Sequence, residues 1–495
     1  MTADSMVQGR RIPTWAVLAV CCVAQFMVVL DVSIVNVALP EMKSALGLTT
    51  TGQQWVVNAY TLTFAGFLML GGRAADLFGR RRVFLLGLGL FTLCSLIGGL
   101  AQNGTWLVTA RAAQGVGGAI LAPATLSLLT SKFTDPQERR KALGAWSATA
   151  ASGAAIGVLL GGVLTDLLDW RWVLIVNVPI GILLLAAASV ALTESRSEAP
   201  SRSLDIPGAL TITGGLAVLV YGIVSTNTHS WGSAFTIVTL AIGVGLLGLF
   251  VAIEARFSSN PLVPLSIFRR RSLVAANGIA ITIGVALFGM YFFLSLYLQQ
   301  VDGYSPLKAG LAFFPAGVFT LLGALTGTRI VNRLGPRRQL VLGPGMTAVG
   351  LLWLAQTSAN ASYFSHVFGP LVLLGVGLGI SFVPMTIAAT AGMPPHQAGL
   401  ASGLINTTRQ IGGAVGLAAL ATAASSVASH HGPGRHALDV ALTNGYDRAF
   451  AIGAGVLVVG ALLALLLPGQ ATGGQTTRGQ AASGAQAPSL ATTEA

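Results

Sequence analysis

A residue that could carry a proton and a second that could pair with it stand where charge is expensive. Asp31 lies in the run Leu30 to Pro40, and the stretch before it, from Trp15, is apolar apart from Gln25. Together they make a helix long enough to cross a bilayer, where an ionisable side chain costs roughly 2.5–3.5 kcal/mol to insert. Such a residue reads as functional by default, and its partner has to be named. Arg111 is the candidate partner. If the first stretch runs outward to Ala38 and the fourth runs inward from Trp106, both residues sit roughly 8–11 Å below one surface, at about 1.5 Å per residue. A carboxylate and a guanidinium at matched depth can pair, and a proton or a cationic ligand can open the pair. The plainer alternative is a static ion pair locking two helices. Asp31 is read as the only carboxylate well inside an apolar stretch, with Glu254 at the end of another.

Other polar residues fall inside apolar stretches. Arg409 lies near the middle of the thirteenth with no charged partner nearby, and could meet an anion or carbonyl of a substrate or tune a cavity. Gln25, Asn36 and Asn58 are candidate cavity residues. For these, as for Gln54, Asn177, Asn277, Gln299 and Asn406, hydrogen bonding between helices is the commoner use. Nothing points to an enzyme. The chain has no Gly-Lys-[Ser/Thr] phosphate loop, and its six histidines and three cysteines show no metal-ligand spacing, so neither nucleotide, metal nor cofactor is expected.

The elements that must hold these residues are membrane helices. Of 495 residues 53% are hydrophobic and 9% charged, against about 25% charged in soluble domains. Fourteen apolar stretches follow one another, among them ~172–193, ~308–328, ~339–356 and ~449–468. With the N-terminus inside, 21 Lys/Arg fall in cytoplasmic segments, five in outer ones (Lys43, Arg171, Lys308, Arg435 and Arg448), and Arg111 and Arg409 lie within the membrane. This asymmetry predicts a multi-pass cell-membrane protein with both termini cytoplasmic. It also accounts for a net charge of +12 without nucleic acid.

The chain also repeats itself. A shift of 256 residues brings Arg73 onto Arg329, Asp76 onto Asn332, Gly79 onto Gly335, Arg81 onto Arg337 and Arg82 onto Arg338. A shift of 260 brings Gly115-Val116-Gly117 onto Gly375-Val376-Gly377. The expected architecture is all-α, with a six-helix half over 14–193, an inserted helix pair over 207–255, a second six-helix half over 272–468, and a disordered cytoplasmic tail over 469–495.

In this arrangement the chain resembles the major facilitator superfamily, and more closely its fourteen-span drug:proton antiporters of the EmrB/QacA type. Gly72 to Arg82 resembles the superfamily's loop motif after the second helix. Leu107, Arg111, Gln114, Gly115 and Gly117 resemble its fourth-helix motif. Leu30 to Pro40, Trp170 to Trp172 with Asn177 to Gly181, and Arg409 to Gly416 resemble signatures of the fourteen-span group. The resemblance implies a gating role for Gly72, Arg73, Asp76, Gly79, Arg80 and Arg81, latching onto the thirteenth helix. It also implies an antiporter motif in the fifth, where Gly153, Gly157, Gly161 and Gly162 are present but Val158 replaces the usual proline. The expected function is proton-coupled efflux of drug-like, partly hydrophobic compounds by alternating access, with Asp31 and Arg111 coupling the proton. The expected partners are lipid, protons and small amphipathic substrates, and the expected state is a monomer. A dedicated exporter of one metabolite or antibiotic is the alternative, and a polytopic membrane enzyme is the rival from another class.

Overall fold

In lipid every backbone N–H and C=O must be satisfied within its own segment or a closed barrel, so apolar runs of this length become helices. The computed structural model describes residues 13–195, 204–258, 261–358, 362–394, 398–428 and 434–468, and among them there is no strand. The expected tail, 469–495, lies outside the described residues. The helices are α1 (Thr14–Leu46), α2 (Thr50–Phe78), α3 (Arg80–Gly99), α4 (Gly104–Lys132), α5 (Pro136–Leu167), α6 (Trp172–Ala191), α7 (Ile206–Ser225), α8 (Ala234–Ala252), α9 (Arg271–Leu296), α10 (306–334), α11 (336–354), α12 (Gly369–Thr390), α13 (Ala398–Ala428) and α14 (Arg435–Leu463). Thirteen described helices are long and apolar enough to cross a membrane, and one of them, Pro306–Leu354, breaks at Gly335 into α10 and α11.

That break shows the repeat in the backbone. Gly335 has φ 79°, and its counterpart 256 residues earlier, Gly79, has φ 105° between α2 and α3. Both positions lie in the region that only glycine enters at low cost. The 260-residue repeat is also structural. A Cβ on Gly115 would lie 2.4 Å from the Tyr60 carbonyl oxygen, and one on Gly375 would lie 2.6 Å from that of Ala316. Gly117 stands in the same way 2.6 Å from the Phe91 nitrogen, and Gly377 2.8 Å from that of Thr347. Tyr60 and Ala316 are themselves 256 apart, as are Phe91 and Thr347. Two like halves therefore pack their own helices in the same way, through small residues that let backbones approach.

The halves meet where α5 packs on α10, α2 on α13, and α1 on α9. The inserted pair α7–α8 lies outside them. α7 touches both α2 and α13, through Leu62, Leu216, Val220, Val224, Ala414 and Ala418. Little of α8 is buried beyond Thr236 and Gly243, so its apolar surface faces outward.

Two elements differ from the sequence expectation. α6 is interrupted at Val176, between Trp172–Ile175 and Asn177–Ala191. α14 begins at Arg435 rather than near 449, so Asp439 and Asp447 lie on its first turns. Its first turns are polar enough to hide from a hydropathy reading, because this helix is longer than lipid requires. α5 carries no interior proline and runs unbroken past the buried Val158.

Candidate functional site

Asp31 and Arg111 meet. The Arg111 Nη1 donates to Asp31 Oδ2 at 2.6 Å, with the two side chains 2% and 0% exposed. Three further helices complete the site. Gln114, one turn beyond Arg111 on α4, donates from Nε2 to Asp31 Oδ1 at 2.8 Å and accepts from Arg111 Nη1 at 2.7 Å. Asn177, at the start of the second segment of α6, donates to the same Oδ1 at 2.9 Å. Ser95 of α3 accepts from Gln114 at 3.1 Å and from Asn177 at 3.0 Å, and donates to the Leu174 carbonyl at 2.9 Å. From α2, the Val56 carbonyl accepts from Arg111 Nε at 3.3 Å, and the Tyr60 ring lies 4.3 Å from the guanidinium.

Local sequence explains why these groups converge. Gly115 and Gly117 bring α4 against α2 and α3, which carries Arg111 and Gln114 inward. The interruption at Val176 turns Asn177 toward α1. The result is a carboxylate ringed by N–H donors in a buried interior, where charge-assisted hydrogen bonds are strong and an unpaired partner is costly. Chemically the arrangement is selective. Both oxygens of Asp31 already accept hydrogen bonds, so an O–H placed there would face donors rather than acceptors. The sequence reading paired Asp31 with Arg111 but took Asn177 for packing and passed over Ser95 and Tyr60. Gln114 was legible as part of the fourth-helix motif one turn from Arg111, whereas a lone serine in an apolar helix carries no signal.

The other cavity candidates are scattered. Asn36 donates to the Val32 carbonyl of its own helix at 2.9 Å, and its backbone carbonyl accepts from Ser295 of α9 at 2.9 Å. Beside it, Gln299 donates to the Val37 carbonyl at 2.9 Å. These bonds tie α1 to α9 at the end of the molecule that carries few arginines. Asn58 is fully buried with neither amide atom bonded to protein, and Gln25 is buried with an unpartnered Oε1. Arg409 donates to Asn406 at 2.8 Å and stands 5.6 Å from the Phe382 ring. In the turn between α9 and α10, burial raises the Asp302 carboxyl to about 6, opposed in part by the Tyr297 hydroxyl and Lys308.

At the arginine-rich end, Asp76 pairs with Arg80 at 3.3 Å and accepts from Ser127 Oγ at 3.4 Å, so these partners are on α3 and α4 rather than α13. The N-terminus of α3 is held by Glu194, which the sequence reading did not single out. Its carboxylate accepts from the backbone N–H groups of Arg81 and Arg82, both at 3.2 Å, and lies 3.7 Å from Arg82 Nε. A carboxylate there offsets the positive end of the helix. Asp76→Asn is expected to lower transport several-fold without changing expression, since a half-exposed pair contributes at most about 1 kcal/mol to stability. Asn332→Ala should leave transport near normal. Equal effects of the two would reduce Asp76 to ordinary loop charge.

In the small-residue motif, a Cβ on Gly157 would meet the Leu30 carbonyl at 2.9 Å and one on Gly161 that of Ile34 at 2.5 Å, both on α1. Gly153 lies 3.2 Å from the Phe26 carbonyl by the same measure. Gly162 faces the other half, 2.5 Å from the Pro306 carbonyl.

A family model described as Major Facilitator Superfamily matches residues 21–417. The chain is 43% identical over 425 residues to the cephamycin export protein CmcT of Amycolatopsis lactamdurans, covering 84% of this chain and 87% of that protein. It is 39% identical over 470 residues to a puromycin resistance protein of Streptomyces alboniger, covering 93% and 92%. Among solved structures it resembles a bacterial homologue of the human lysosomal transporter Spinster, with a TM-score of 0.65 and 15% identity over 91% of this chain and 96% of that one. The last likeness concerns the fold.

Proposed function

The chain belongs to the Major Facilitator Superfamily, a family of transporters rather than enzymes, and on that footing we propose that it is a proton-coupled antiporter exporting partly hydrophobic drug-like compounds across the cell membrane. The observation that carries this reading is the buried Asp31, whose two oxygens face Arg111, Gln114 and Asn177. A proton on Asp31 would meet donors on both oxygens. Its uptake therefore has to release Arg111 or turn an amide, and either change loosens the tie of α4 or α6 to α1. Export is supported by the relatives, which are an antibiotic exporter and an antibiotic resistance protein.

In this reading the bodies 14–193 and 272–468 rock about the site, with 207–255 as an insert and the monomer as the working unit. The arginine-rich end faces the cytoplasm, as the positive-inside rule asks, and the bonds of Asn36 and Val37 to α9 close the outer end. Gly72 to Arg81 serves the inner gate. Arg409, Asn58 and Gln25 offer polar contacts to substrate. One proton moving inward across 100 mV supplies about 2.3 kcal/mol.

The test is transport in everted vesicles with an imposed proton gradient, using a panel of antibiotics and lipophilic cations. Accumulation should collapse when a protonophore is added, and right-side-out vesicles should not accumulate the compound. Accumulation indifferent to the protonophore would overturn proton coupling. A second reading, a dedicated antibiotic exporter, draws on the 43% identity to the cephamycin export protein. Transport of one chemical class alone from that panel would select it.

A further inference from the structure

Three charged side chains sit well inside the apolar stretches, and only one of them is open to a bound molecule. Asp31 and Arg111 are 0% and 2% exposed and spend their charges on each other. Arg409 is partly exposed. It lies roughly 16 Å along α13 from Ala398, at about 1.5 Å per residue. Its backbone is pressed into the second half, where a Cβ on Gly284 of α9 would meet the Arg409 carbonyl. Its guanidinium reaches to α12, 5.6 Å from the Phe382 ring. Phe382 is itself partly exposed and packs on the central apolar cluster, which Phe26 of α1 and Phe67 of α2 join from the first half. Six residues before Arg409, a Cβ on Gly403 would lie 3.2 Å from the Met69 sulfur of α2. This stretch of α13 therefore borders the first half.

The guanidinium is oriented but not neutralised. Its Nη2 donates to Asn406 Oδ1, one turn earlier on the same helix, at 2.8 Å. Asn406 is also partly exposed. A neutral amide takes one N–H and leaves the positive charge in place. Among the described residues Arg409 joins no ion pair. A guanidinium carries five N–H donors in a planar fork that fits a carboxylate through two parallel bonds. A charged side chain kept within the membrane marks the path of what moves through it. Its sign then sets which ions are favoured. An anion gains a charge-assisted bond, whereas a cation meets like charge. The Phe382 ring beside it suits an aromatic body.

We propose that Arg409 is the anion-recognising residue of the substrate site, selecting bulky aromatic compounds that carry a carboxylate. The proposal rests on the export reading for there being a substrate site, and it adds the sign of the substrate's charge. The carboxylate takes the guanidinium edge that Asn406 leaves free, and the aromatic body lies against Phe382. Asp31 does not compete with this, because it is sealed behind Arg111, Gln114 and Asn177. The two arginines within the membrane then have separate tasks. Arg111 answers the carboxylate of the protein, and Arg409 answers that of the substrate.

Three probes with one aromatic body test the assignment: naphthoate, its uncharged methyl ester, and the cation naphthylmethyl-trimethylammonium. Each is titrated against the purified full chain in detergent, without a proton gradient, and binding is read from the rise in melting temperature. The wild type should bind naphthoate at least about ten-fold more tightly than the ester, and the cation most weakly. Arg409→Gln should bind naphthoate and ester alike, with its affinity for the ester unchanged. If that variant does not fold, Asn406→Asp serves. It sets a carboxylate of the same size where Arg409 already donates, and should likewise erase the preference. A wild type with no preference for naphthoate overturns the proposal, as does a preference that survives either variant. Equal weakening of all three probes by Arg409→Gln would make Arg409 structural and also overturn it. Everted vesicles separate this from the export reading. Anion preference in binding without gradient-driven transport of any compound would support the assignment and fail the export reading alone. Gradient-driven transport without anion preference would fail the assignment alone.

Discussion

Asp31→Asn is expected to abolish gradient-driven transport, and the double variant Asp31→Asn with Arg111→Gln to recover the fold without recovering the coupling. The single change leaves Arg111 buried without its counter-charge, and breaking one partner of a buried ion pair costs about 3–5 kcal/mol. It also replaces an acceptor oxygen by an N–H₂ group that faces the donors of Arg111, Gln114 and Asn177. Lower expression of the single variant is therefore expected on structural grounds alone. The double variant separates stability from coupling, since it carries neither charge and its new amide on α4 brings an oxygen that can accept. Melting temperature and proton-driven accumulation in everted vesicles are the two measurements. Recovery of both would show a static lock. Recovery of melting temperature with accumulation still at background supports Asp31 as the proton carrier. Full pH-gradient-driven transport by Asp31→Asn alone would sink the coupling role.

Gly162→Ala and Gly161→Ala are expected to fail for different reasons, although the residues are adjacent. Each added Cβ would lie 2.5 Å from a backbone carbonyl, which cannot turn aside as a flexible side chain can. The strain in each case is about 1–3 kcal/mol. For Gly161 the carbonyl belongs to Ile34 of α1, within the same half, and the helix pair must stay together in every conformation. Gly161→Ala should therefore lower the melting temperature and the yield. For Gly162 the carbonyl belongs to Pro306, at the start of α10 in the other half. The strain then exists while the arginine-poor end is closed and is relieved when the halves part there. A shift of about 1–3 kcal/mol changes the ratio of closed to open forms by roughly 5- to 150-fold. Gly162→Ala should keep a near-normal melting temperature, label faster from outside at a cysteine placed at Asn36, and transport at least several-fold more slowly. Equal loss of stability in both variants, with no change in labelling, would reduce Gly162 to ordinary packing.

Much of this protein could be read from residue order. Helices in lipid must satisfy their own backbones, so apolar length located the membrane-spanning segments to within a few residues in most cases. The repeat of arginines and glycines at 256 residues returned as two equivalent backbone breaks, at Gly79 and Gly335, because a glycine-only conformation leaves a mark in composition. Depth along two antiparallel helices paired Asp31 with Arg111, since rise per residue is nearly constant. What pattern could not supply was rotation and crossing. Whether Asn177 faces packing or Asp31 depends on the interruption at Val176, and whether Ser95 reaches Gln114 depends on how closely α3 lies against α4. Local backbone geometry and the solvent set the elements, so they are legible in the chain. The partners of a buried polar atom are set by which helix faces which, a property of packing that no single stretch contains.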